Sequence, residues 1–122
     1  MAKYTSDSVL DAALDKVASA TILTVCSNQP TNRTEAITTY KLADVTVDSS
    51  DFTKANGDVS GRKVIVAAQN AVPVDASGNA QHIALCDGTE LLHVTTCTSQ
   101  TLTAGNTVNV PAFDVEFLDV TP

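Results

Sequence analysis

A chain of 122 residues suffices for one domain that buries roughly two-thirds of its unfolded surface, and two domains would be crowded. Fourteen acidic residues against seven basic ones give a net charge of −7, which repels nucleic-acid phosphates and anionic lipid alike. With no tryptophan and 4 % aromatic residues, the composition offers no stacking platform for sugars or bases.

The start, MAKYTSDS, is polar, and no apolar run approaches the ~20 residues a bilayer span needs, so neither signal peptide nor membrane helix is expected. Residues 6–18 read as the one helix. Leu10, Ala13, Leu14, Val17 and Ala18 recur at i, i+3, i+4, i+7 and i+8, drawing an apolar stripe along about three turns. Ser6 or Ser8 can cap it, with Asp7 and Asp11 at the positive end of its dipole and Lys16 at the other. So short a helix is marginal alone and must lean on a sheet.

After the helix the pattern is that of strands. Residues 21–26 (TILTVC) form the first, followed by a polar turn cluster at 27–32 that contains Pro30. Residues 37–47 predict one strand, or two short ones meeting near Ala43 and Asp44. Residues 48–61, the longest polar stretch, predict an exposed loop. Residues 62–68 are apolar on both faces from Val64 onward, which suits a central strand. The turn chemistry of residues 75–79 predicts a hairpin between 72–75 and the strand that begins at Ala80.

The richest stretch is 81–120, with strand-like runs at 82–86 and 91–96 around the Asp87-Gly88 turn. Closing that hairpin around residues 87–90 places Cys86 opposite Leu91, Ala84 opposite His93 and His82 opposite Thr95. Ile83, Leu85, Leu92 and Val94 then line the other, core-facing side. In the long terminal strand Val108 and Val110 point one way, whereas Phe113, Val115 and Phe117 fall on odd positions. The parity break predicts a bulge or bend at Pro111, with Asp114 and Glu116 facing solvent. Seven or eight strands about a dozen residues apart predict a mainly β, single-domain antiparallel β-sandwich or small barrel spanning 1–122, with one amino-terminal α-helix over about 6–18.

Chemistry is sparse. His82, Cys86, His93 and Cys97 share one face of the derived hairpin, but His82 and Cys86 lie about 13 Å apart along the sheet, as do His93 and Cys97. Zinc donors must sit ~3.5 to 4 Å from one another, so at most the diagonal pair His82 and His93 could share an ion. Asp44, Asp48, Asp51 and Asp58 lack the spacing of a calcium loop. No G-x-S-x-G elbow, Walker loop or G-x-G-x-x-G run occurs. A cysteine and a histidine brought together across strands is the one nucleophilic arrangement left open. Cys26, Cys86 and Cys97 are odd in number and show no C-x-x-C spacing, which predicts free thiols, with an interchain disulfide through one of them as the alternative. Asn32-Arg33-Thr34 matches a glycosylation tripeptide, but without a secretory signal it has no compartment in which to act. The expectation is therefore no catalytic, cofactor-binding or metal residue, and no cofactor.

The phrase order VLDAALDKVASATILTVCS, YKLAD, SGRKVIVAAQ and HIALCDGTELLHVTTCTSQTLTAGNTVNVPAFDVEF resembles small β-rich structural proteins encoded in the head gene clusters of tailed bacteriophages and prophages. The likeness covers most of the chain and includes no catalytic signature. It implies a non-enzymatic virion component, foremost a capsid decoration or cement protein on the capsid exterior. The implied partners are the major capsid protein or other virion proteins and copies of itself, often as trimers, with no nucleic acid and no membrane. Two alternatives are a neck- or tail-associated protein or receptor- or glycan-binding module, and a small hydrolase using Cys86 or Cys97. For assembly, the sequence predicts surface packing plus exchange of residues 1–5 with a neighbour.

Overall fold

A computed structural model describes residues 6–57 and 61–117. It is mainly β and sandwich-like, with one α-helix at the start and antiparallel pairing throughout. Residues 1–5, Asp58 and the end of the expected terminal strand lie outside the described residues.

Helix α1 spans Asp7–Val17, and its amino end is closed by Ser6, whose Oγ accepts from the Val9 N–H at 3.4 Å. Leu10, Leu14 and Val17 are buried, while Ala13 of the expected stripe is exposed. Strand β1 (Ile22–Cys26) lies at the heart of a four-stranded sheet, between β2 (Lys41–Thr46) and β6 (Gly78–Cys86), and β7 (Leu91–Leu102) forms one outer edge. A second sheet holds β3 (Phe52–Asn56), β4 (Arg62–Val66) and β9 (Phe113–Phe117), with β4 in the centre as its apolar run predicts. β5 (Gln69–Pro73) and β8 (Thr107–Val110) make a two-stranded third sheet, joined to β2 by a bridge between Ala43 and Val74.

All three sheets close over one apolar core. Leu23, Val25, Ile83 and Leu85 enter it from the large sheet, Val64, Val66 and Val115 from the second, and Val72, Val108 and Val110 from the third. Ion pairs fasten the helix to the second sheet and to the turn between β6 and β7: Asp11 to Arg62 at 2.8 Å, Asp15 to Lys54 at 2.7 Å, and Lys16 to Glu90 at 2.9 Å and to Asp87 at 3.4 Å. A smaller apolar cluster of Cys26, Ala36, Ala84 and Cys86 lies on the opposite face of the large sheet.

Five expectations are corrected. Residues 37–39 are not strand but belong to a π-helical turn, Glu35–Thr39. The Glu35 carboxylate accepts from the Thr31 N–H (2.8 Å) and hydroxyl (2.6 Å), and Asn32 Oδ1 accepts from the Glu35 N–H. These side-chain bonds tighten the turn and press Ala36, Ile37 and Tyr40 onto the smaller cluster. The polar stretch 48–61 is more than loop: Asp48 and Asp51 cap a short 3-10 turn, Ser49–Asp51, which launches β3. The predicted hairpin across 75–79 does not form, because β5 pairs with β8 whereas β6 pairs with β1 and β7. In place of a hairpin turn, the amides of Asp75 and Ala76 donate to the Leu42 carbonyl (2.7 and 3.1 Å).

The parity break at Pro111 is a change of sheet rather than a bulge: β8 ends at Val110 beside β5, and β9 starts at Phe113 beside β4. Finally, Cys86 does face Leu91, but Leu92 is an extra residue in β7, so Leu85 faces His93, Ala84 faces Val94 and His82 faces Thr96. That one-residue slip exchanges faces, so Val94 packs on the smaller cluster rather than in the main core.

Candidate functional site

The slip disperses the four candidate metal ligands. Residues opposite each other across antiparallel strands share a face. His82 therefore lies on the outer face with Cys86, while His93 sits beside Leu85 on the core side, where Cys97 also packs. Not even the diagonal histidine pair converges, and among the described residues no group of three His, Cys, Asp or Glu side chains could hold a metal. Asp44, Asp48 and Asp51 are equally separate: Asp44 and Asp75 flank the Lys41 ammonium at 3.6 and 3.2 Å, while Asp48 and Asp51 serve their own turn.

The cross-strand cysteine and histidine left open by the sequence does exist, as Cys26 of β1 opposite His82 of β6. It is built for packing. Cys26 is fully buried beneath the π-helical turn, and its thiol contacts Thr24 Oγ1 (3.4 Å) and donates to the Ala36 carbonyl (3.5 Å). Burial pushes its pKa up, and does the same to Cys86 and Cys97, the opposite of what activates a thiol. His82 Nδ1 is buried without a hydrogen-bond partner. No intrachain disulfide joins the three cysteines. Burial also holds the half-buried His93 below the usual imidazole range.

Two features stand out. The first is the β6–β7 turn. Asp87 Oδ1 accepts from the backbone amides of Thr89 and Glu90, both at 2.8 Å, and from the Thr89 hydroxyl. Its other oxygen is 3.4 Å from Lys16 Nζ, and Arg33 Nε donates to its carbonyl at 2.8 Å. The two amides, chiefly, hold its carboxyl at about 2. The turn is thus locked to both α1 and the segment before the π-helical turn.

The second feature is a cavity of about 210 Å³ between β7 and β8, lined by Val25, Ile83, Cys97, Thr98, Val108 and Pro111 among others. Cys97, the one thiol that is not fully covered, sits in its wall. Apart from Arg33, every described Lys and Arg is engaged with a carboxylate of this same chain. Compared with family models, curated proteins and solved structures, the chain matches none.

Proposed function

We propose that this chain is a non-enzymatic structural protein of a tailed-bacteriophage virion, a decoration or cement protein that sits on the capsid exterior in many copies and contacts the major capsid protein. The observation that carries this reading is what the molecule does with its reactive groups. The thiols are spent on packing on opposite sheet faces, and every described cation but Arg33 on an intramolecular ion pair. What reaches solvent is an acidic, β-built surface, suited to the outside of a particle rather than to the packaged DNA within. The phrase-order likeness to phage head proteins supplies the biological setting.

Mass spectrometry of purified particles with copy counting tests the reading. Hundreds of copies per particle support it; a handful moves the chain to the neck or tail; absence from the particle overturns it. Thiol labelling of the folded protein tests the hydrolase alternative. Slow modification of Cys97 alone is expected, with Cys26 and Cys86 reacting only on unfolding. Selective, fast reaction of one thiol at neutral pH would favour the enzyme.

A further inference from the structure

Strand β7 is an outer edge of the large sheet, and among the described residues no backbone hydrogen bond leaves its far side. Proteins ordinarily blunt such an edge with charge, proline or brevity, because a row of unpaired N–H and C=O groups recruits another strand. The other edges of the two larger sheets follow that rule. β2 carries Lys41 and Asp44, β3 carries Lys54, and β9 carries Asp114 and Glu116. β7 is the longest strand, and it holds no Asp, Glu, Lys, Arg or Pro. The neutrality extends well past the strand: residues 91–113 contain no charged side chain, although the chain carries −7 overall. Seven of the ten residues lining the cavity, from Cys97 to Pro111, belong to this neutral stretch.

We propose that the β7 edge is a self-association surface, on which the β7 of a second copy of this chain adds in antiparallel fashion to make one continuous sheet across a two-fold axis. The occupant follows from charge. Two molecules of net charge −7 repel wherever their acidic surfaces meet, and this neutral edge lets them approach without placing carboxylates face to face. A strand built of Thr, Ser and Gln between apolar residues is also its own complement, since each of those groups both donates and accepts. Between its two irregularities, at Leu92 and beyond Thr96, β7 keeps an uninterrupted ladder at residues 93–96, and this is the stretch that pairs. The surface stands independently of the virion reading, since it concerns the free protein.

Sedimentation of the purified full chain over a concentration series tests it. A monomer–dimer equilibrium is expected. The variant Thr96→Glu places two added carboxylates within the joined sheet and should raise the dimer dissociation constant about tenfold or more. Thr53→Glu, on the edge strand β3, should leave the dimer intact. In parallel, hydrogen exchange at the outward β7 amides should slow as wild-type concentration rises, a readout that needs no variant. The proposal is overturned by a monomer at every soluble concentration, by a dimer that Thr53→Glu dissolves and Thr96→Glu does not, or by β7 amides that exchange at one rate throughout.

Discussion

Asp87 shows how one side chain can organise a turn. Its carboxyl, held at about 2 against an ordinary value near ~4, favours the folded state only while ionised. Because the folded pKa is depressed, that stabilisation is present above pH ~4 and is lost as the pH falls toward 2. Asp87→Asn should therefore lower the melting temperature at pH 7 and flatten the loss of stability between pH 4 and 2, as read by thermal melts across that window. Ala71 supplies a second residue-scale test. It sits at φ +55 where the β5–β8 register shifts, its N–H donating to Asn109 Oδ1 at 2.8 Å. A Cβ in the left-handed region costs about 1–2 kcal/mol, so Ala71→Gly should leave stability unchanged or raise it by up to ~1 kcal/mol. The same swap at fully buried Ala84, in a regular strand, should lower stability by about 1 kcal/mol, and urea titration of both variants compares them directly.

At the scale of elements, α1 is held by what it buries more than by its salt links. Leu14 is fully buried in the main core, and Leu14→Ala should cost about 2–5 kcal/mol in chemical denaturation. Lys54→Ala, which removes an exposed partner of Asp15, should shift the midpoint far less. This helix was legible because its stripe and its serine cap agree with each other. β7 and the Asp87-Gly88 turn were legible for a similar reason, but the slip at Leu92 was not: a bulge keeps the same residues in strand and alters only which neighbour each one meets. The π-helical turn hid because Ile37 to Val47 alternates loosely enough to pass for strand, while the bonds that define it come from Thr31, Asn32 and Glu35 in the polar segment before it. β3 hid behind the Asn56-Gly57 turn signal and its own polar composition. Of the candidate site, the absence of charge in β7 is written in the sequence, but that β7 is an edge is a property of the sheet order alone.

For the molecule as a whole, local sequence rules failed most plainly where strands changed sheet. The 75–79 turn chemistry is real, yet β5 and β6 part company there, and the Pro111-Ala112 step sends β8 and β9 to different sheets. Besides its neighbour β2, β1 finds its other partner at β6, across about half the chain, and β4 waits for β9. Loop closure of that length must be met before the pairing rewards it. Refolding by stopped-flow dilution from denaturant should accordingly take milliseconds to seconds rather than microseconds. Neither larger sheet can be completed early during synthesis. Until residues 113–117 have emerged from the ribosome, β4 has an open flank and Val64 and Val66 lack part of their cover, so for most of its translation the nascent chain exposes an unpaired strand edge and apolar surface of the kind that aggregates.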